Sequence, residues 1–365
     1  MRSAPTISSS LPLAVSALSN PQDRRETFAY PEHAPPRAGY RISVVNANAE
    51  QVLRLEELID PARLDGSYRI AFWLWELAKF PQAHREALSR VDEVWVPSKY
   101  VADALRPITN KPVHVLPFAI APITPAAITR AHFNLPEDRI VFLTAFDVNS
   151  FINRKNPEAV IRAFRDAFDA TSPRAPVLAI KVHGDHGTGE AREALNAHIG
   201  EASNIVILDQ TLKRDEYIAL HYQADAFVSL HRAEGFGFNM AEAMLIGKPV
   251  IATDYSGNRD FMDATNSCPI SARLIDVPQG AYPHHEGQQW ADPNHDEAVN
   301  AMRSLAGDAS LRARLGKAGR ATIETRYSSA VTGNAILRRL GEIDPDLKTM
   351  MGPNTPLTDK QKGVA

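Results

Sequence analysis

Residues 225–262, DAFVSLHRAEGFGFNMAEAMLIGKPVIATDYSGNRDFM, most restrict what this chain can fold into. Residues 225–230 form a short apolar run. A polar, glycine-broken loop follows, and residues 238–246 carry apolar side chains at helical spacing up to Gly247. Lys248 and Pro249 come after that stop, and residues 250–253 are a second β-branched run. The unit reads strand, helix, strand, with a crossover long enough for parallel pairing. In such a unit the loop after the first strand faces a ligand crevice at the carboxyl ends of the strands.

Three features describe what that crevice would hold. Gly235 and Gly237 let backbone come close to a ligand. They lead into a helix whose first amides lack intrahelical partners and carry the positive end of the dipole, an arrangement suited to a diphosphate. Glu234 precedes the loop and Glu242 lies one to two turns into the helix. Carboxylates repel phosphate but accept hydrogen bonds from sugar hydroxyls. A phosphate flanked by hydroxyl-binding carboxylates describes a nucleotide sugar.

The segment from Phe146 to Pro157 joins the first strand of the same half to its first helix, the position of a phosphate loop. It contains Arg154 and Lys155, a planar fork and a point charge that can together neutralise a leaving diphosphate. Cations at a helix start are electrostatically disfavoured, so the pair calls for a reason.

The run EGFGFNMAEAM from Glu234, followed by GKPVIAT from Gly247, resembles the signature of the retaining GT-B glycosyltransferases of glycosyltransferase family 4. The resemblance covers residues 85–340 well and the earlier part poorly. It implies an α/β chain of two Rossmann-like doubly wound domains and metal-independent hexosyl transfer with retention. It further implies that Glu234 lies by the donor sugar, that Glu242 binds the ribose, and that Arg154 and Lys155 hold the diphosphate. Lys155 with Asn156 and Pro157 matches the family's lysine position; the loop is longer than usual, which places Arg154 beside the lysine instead of several residues before it. Catalysis is thus assigned to Glu234, Lys155 and Arg154. Donor binding is assigned to Glu242, Gly235, Phe236, Gly237, Phe238 and Asn239.

Upstream of the central unit, strand and helix patterns alternate over 140–146, 157–168, 177–182, 190–199, 205–208 and 214–223, which predicts a parallel doubly wound sheet. Residues 117–136 are broken by four prolines and read as a linker. Before it, strands are expected at 41–45, 69–74, 91–96 and 113–116, with helices at 49–58 and 99–105. The expected divisions are a first domain over 1–130, a donor domain over 131–325, a returning helix over 326–343 and a mobile polar tail over 344–365. Around Trp73, Trp75 and Glu76 the chain is dense in aromatics. It is either a buried strand entering a helix or an acceptor-facing wall; Asn48, Trp75 and Glu76 are the acceptor-side candidates.

Forty basic residues against 43 acidic ones leave a net charge of -3, so no global field draws the chain to nucleic acid. A single cysteine, Cys268, cannot form an intrachain disulfide, which fits a cytoplasmic protein. The apolar piece at 11–18 is too short to span a membrane, which takes about 20 residues. His284, His285 and His295 lie near Asp292 and Asp296 but lack metal-site spacing and read as a polar surface loop. No metal or cofactor is expected. The expected partners are a nucleotide sugar donor and a glycan or lipid-linked saccharide acceptor in polysaccharide or glycoconjugate synthesis, with room for peripheral contact at the inner membrane face.

Two other readings are open at this stage. A non-catalytic nucleotide-sugar-binding partner would share the donor half and have a degenerate acceptor half. A glycoside hydrolase would need two carboxylates about 5 to 9.5 Å apart around the bond; the phosphate loop argues against it. One further expectation concerns the start of the chain. Residues 12–18 match the family's second strand, and nothing before Pro12 resembles its first strand and glycine loop, so an amino-terminal segment is expected to be missing and transfer to be poor.

Overall fold

The computed structural model describes residues 40–184 and 190–347. The strand expected at 12–18, the missing-segment reading built on it, and the tail beyond residue 347 lie outside the described residues. The chain divides into two compact units. Among the described residues, one comprises 40–75, Lys79–Ala119 and 327–347; the other comprises Glu76–Ala78 and 120–326.

In the first unit β1 (Ile42–Val45), β2 (Tyr68–Phe72), β3 (Glu93–Val96) and β4 (Val113–Val115) form a parallel sheet in that order. All four residues of β3 are buried, as strands covered on both faces require. The helix expected at 49–58 is two short pieces, α1 (Ala49–Val52) and α2 (Leu55–Leu58). Arg54, at φ -110° and ψ 18°, leaves the helical basin between them. Ser98 caps α3 (Lys99–Leu105), its hydroxyl accepting from the Val101 amide at 3.3 Å.

The second unit continues with β5 (Val141–Asp147), α4 (Ile152–Lys155), α5 (Pro157–Ala167), β6 (Val177–His183), α6 (Glu190–Ile199), β7 (Ile205–Leu208) and α7 (Arg214–Gln223). It is completed by β8 (Ala226–Ser229), α8 (Phe238–Leu245), β9 (Val250–Thr253), β10 (Cys268–Ile270), β11 (Ala272–Asp276), β12 (Gln289–Pro293), α9 (His295–Gly307) and α10 (Ala309–Arg326). Six parallel strands lie in the order β10-β9-β8-β5-β6-β7. The order reverses between β5 and β8, so the loops that leave these neighbours diverge and open a crevice at their carboxyl ends. Phe142, Phe164, Leu178, Val228, Ile251 and Met302 anchor the core beneath it.

Outside this sheet, β11 and β12 pair antiparallel. The stretch read as a polar surface loop therefore contains β12 and the start of α9. Asp292 pairs with Arg232 and Arg273, and His295 pairs with Asp166. Among the described residues no helix is long and apolar enough to cross a membrane.

The last helix, α11 (Ser329–Ile343), belongs to the first unit, where Ile336, Leu337 and Leu340 pack with Ile70, Phe72 and Trp95. Its Arg339 forks onto Glu93, whose side chain is fully buried: Nε donates to Oε1 at 3.0 Å and Nη2 to Oε2 at 2.5 Å. Tyr68 and Trp95 donate to the same carboxylate. Removing the fork strands a buried charge, so Arg339→Ala is expected to cost about 2 kcal/mol, with Arg339→Lys recovering part of it. Equilibrium denaturant unfolding of the three proteins checks this. Just beyond α11, Asp344 and Asp346 both pair with Arg41, so the first residues of the expected tail are tied down.

Candidate active site

After β5 the chain turns sharply. Asp147 accepts from the Asn149 amide at 2.8 Å, and Phe151 then takes φ +62° before the single turn of α4. Asn156 takes φ +53° immediately after it. Asparagine tolerates the left-handed region; a bulky phenylalanine there is strained, at about 1 to 3 kcal/mol. Neighbouring contacts enforce the conformation. Asn156 Nδ2 donates to the Leu230 carbonyl at 2.8 Å, the Arg232 amide donates to the Arg154 carbonyl at 2.8 Å, and the Phe151 ring meets Tyr282 at 4.8 Å. Two distorted residues thus bracket the turn that carries both candidate cations.

Those cations converge on Glu234 from the loop after β8. Lys155 Nζ lies 2.5 Å from Glu234 Oε1, and Arg154 Nη1 lies 3.2 Å from Oε2 and donates to the Ala233 carbonyl at 2.7 Å. Burial opposes ionisation of Glu234, but the attraction of Lys155 and Arg154 prevails and holds its pKa down to about 2. Burial likewise pulls Lys155 below its ordinary value, against the attraction of Glu234. Glu76 joins the group by a longer route: the Tyr282 hydroxyl donates to Glu76 Oε2 at 2.6 Å, and the Arg154 guanidinium carbon lies 5.9 Å from the centroid of the Tyr282 ring.

A pH prediction follows from Glu234. Its folded pKa lies below its ordinary 4.5, so its pairing stabilises the fold above that value and is lost as pH falls toward about 2. Over that interval wild type should lose stability more steeply than Glu234→Gln. Parallel acid titrations of unfolding free energy measure the difference; equal slopes would remove the role.

The glycine loop is fixed from a third direction. The Glu234 amide donates to Ser256 Oγ at 2.8 Å, and the Gly257 amide donates to the Glu234 carbonyl at 2.8 Å. A Cβ on Gly257 would stand 2.3 Å from the Gly235 oxygen, so this approach admits only glycine. Gly237 begins α8 at φ +102°, a conformation that other residues rarely adopt. Phe236 is buried and packs against Phe238 and Phe261, which leaves its backbone as the part suited to a ligand. Asn239 Nδ2 donates to the Ala145 carbonyl at 2.9 Å and its Oδ1 accepts from the Tyr217 hydroxyl at 3.0 Å, so α8 is tied to β5 and α7. One turn on, the buried Glu242 is ion-paired with Arg214.

The sequence model of the family described as glycosyl transferases group 1 matches residues 127–322, more than half of the 365-residue chain. The chain belongs to that family. A comparison with curated proteins finds none that matches. Among solved structures, HepE from Anabaena in complex with UDP and glucose is similar at TM-score 0.63 and 16% identity, over 83% of this chain and 78% of that one. Sucrose-phosphate synthase from Thermosynechococcus elongatus is similar at TM-score 0.62 and 18% identity, over 85% and 74%. TarM from S. aureus is similar at TM-score 0.55 and 14% identity, but this chain spans only 51% of its length. At these identities the likeness shows the fold, an α/β architecture of GT-B type.

The family match contains the whole Arg154, Lys155, Glu234 and Glu242 constellation. Of the acceptor-side candidates, Glu76 belongs to the same unit as these residues and reaches Tyr282, whereas Asn48 and Trp75 belong to the first unit. Asn48 Oδ1 accepts from the Leu74 amide at 3.0 Å, and Trp75 is only 7% exposed, with Nε1 donating to the Lys79 carbonyl at 3.0 Å and its ring edge-on to Phe80. Of the two readings left open for this stretch, the burial of the Trp75 ring favours the packing one. Sequence reasoning missed Tyr282, Ser256, Asn258, His231 and Arg214. Ser256, Gly257 and Asn258 had a signal, since they form the turn after β9, at the same carboxyl end of the strands. His231 is fully buried, with Nε2 3.0 Å from Asn258 Oδ1, and burial lowers its pKa, so it braces these loops as a neutral ring.

Proposed function

We propose that this glycosyl transferases group 1 protein is a retaining, metal-independent hexosyltransferase of family 4. It moves sugar from a nucleoside diphosphate sugar to a hydroxyl of a glycan or lipid-linked saccharide, at or near the cytoplasmic face of a membrane. The observation that carries the reading is the contact of Arg154 and Lys155 with Glu234 where β5 and β8 diverge, beside the start of α8.

An entering diphosphate competes with Glu234 for the two cations, and Glu234 turns to the sugar hydroxyls. Glu242 receives the ribose hydroxyls. As the bond from the anomeric carbon to the phosphate oxygen breaks, its electron pair stays on that oxygen. Lys155, Arg154 and the amides of residues 236–239 meet the growing charge, the contribution that usually dominates such catalysis. The acceptor hydroxyl bonds to the anomeric carbon on the face the phosphate leaves, and its proton passes to the departing oxygen. The products are a nucleoside diphosphate and a glycoside of unchanged configuration. Side-chain cations and amides carry the charge throughout.

HepE in complex with UDP and glucose makes UDP-glucose the first donor to try. A thermal-shift series of nucleoside diphosphates and their sugars should single out one base, because a ligand at about 100 times its Kd stabilises by about 2.7 kcal/mol. Nuclear magnetic resonance of the product with that donor then reads the anomeric configuration, in the presence and absence of a chelator. Inversion, or loss of turnover with chelator, overturns the mechanism. Binding without transfer to any acceptor favours a non-catalytic nucleotide-sugar partner.

A further inference from the structure

Arg214 is the first residue of α7, where a cation is electrostatically disfavoured. Its guanidinium nonetheless holds Glu242 Oε1, 28 residues along the chain, and its carbon lies 5.6 Å from the centroid of the Tyr217 ring. That ring is itself held, since its hydroxyl donates to Asn239 Oδ1 at 3.0 Å and Asn239 donates in turn to the Ala145 carbonyl of β5. Asn239 and Glu242 are three apart on α8 and share a face. Arg214 is therefore held by ring stacking on one side and by the carboxylate on the other. Its buried Nε makes no hydrogen bond among the described residues, and the fork donates from Nη2 to Glu242.

We infer that Arg214 is a positioning residue that fixes the carboxylate of Glu242 for the ribose and thereby sets how strongly the site prefers ribonucleotides to nucleotides lacking the ribose hydroxyls. The inference rests on the proposed donor site. Glu242 is only 4% exposed, and a carboxylate so buried stays ionised and correctly turned only if a cation accompanies it. Without Arg214 the carboxylate loses the charged donor that orients it, and its hold on two hydroxyl groups weakens. An arginine supplies a planar fork that orients the carboxylate; a lysine supplies charge alone.

The test compares wild type, Arg214→Lys and Arg214→Ala in the full chain. Calorimetry gives the Kd of the best-binding ribonucleoside diphosphate and of its 2′,3′-dideoxy counterpart, and thermal unfolding monitors the fold. Wild type should prefer the ribonucleotide by about tenfold or more, the worth of hydrogen bonds to a charged group. In Arg214→Ala the preference should fall to within about threefold, with Arg214→Lys between them. A merely structural arginine would weaken both ligands equally, and an unchanged ratio in Arg214→Ala overturns the inference while leaving the donor site standing. If Arg214→Ala does not fold, the ratio in Arg214→Lys decides, and a wild-type value there overturns it. If wild type binds no nucleoside diphosphate, the donor-site reading fails first and takes this inference with it.

Discussion

Replacing Lys155 by alanine should lower turnover by about 10²- to 10³-fold, the effect of removing one donor aimed at charge that develops in a transition state. Lys155 makes the shorter of the two cation contacts to Glu234, and in the proposed mechanism an entering diphosphate displaces it. The donor KM should change much less than kcat, because the interaction strengthens as the bond breaks. Neither magnesium nor manganese should restore the rate, since the proposed reaction uses no metal there. Full activity of Lys155→Ala, or rescue by a divalent ion, removes the lysine from its role. Arg154→Ala is the poorer probe, because its Nη1 also supports the Ala233 carbonyl and its removal disturbs the loop.

Glu242→Ala and Glu234→Ala should fail in different ways. The first removes the proposed acceptor for the ribose and the ion-pair partner of Arg214, so nucleoside diphosphate binding should weaken by about 10- to 100-fold. The second removes a group proposed to meet the reacting sugar and breaks its pairing with Lys155 and Arg154, so kcat should fall while binding of the bare diphosphate holds or tightens. Calorimetry with the diphosphate alone, set beside steady-state rates with the sugar nucleotide, separates the two. Equal diphosphate affinities in wild type and Glu242→Ala would falsify the ribose assignment.

The parts of the fold that could be read from sequence are those whose signal is local. The helix at Arg214–Gln223 and the strand at Val250–Thr253 fall at their expected limits, because a polar break and a Gly-Lys-Pro stop frame them. The cations of the β5 loop were visible as an adjacent Arg-Lys pair ahead of Asn156 and Pro157, but they do not stand at a helix start as expected: both lie in the last turn of α4, where the dipole favours a cation. Every residue of β11 is at least partly exposed, so it lacks the alternation of apolar and polar positions that betrays a strand. Tyr282, carried between β11 and β12, could not be placed from sequence, since the Glu76 it touches is 206 residues away. Trp75 stayed open between two readings for a related reason. An aromatic beside a carboxylate looks the same in sequence whether it stacks on a sugar or fills a core, and only the Lys79 carbonyl that takes its N–H decides.

The pairing of β5 with β8 also governs when the site comes into being. Phe142 lies beside Ala226, and the whole of β6 and β7 is synthesised between them. Closing so long a loop is entropically slow, and contacts of this range form late on the way to the native state. Lys155 and Glu234 are therefore strangers until that closure occurs. A nascent chain that has reached only β7 holds both cations and neither glutamate of the pocket, so nucleotide capture during refolding should lag behind the gain of helix and report the last long-range step.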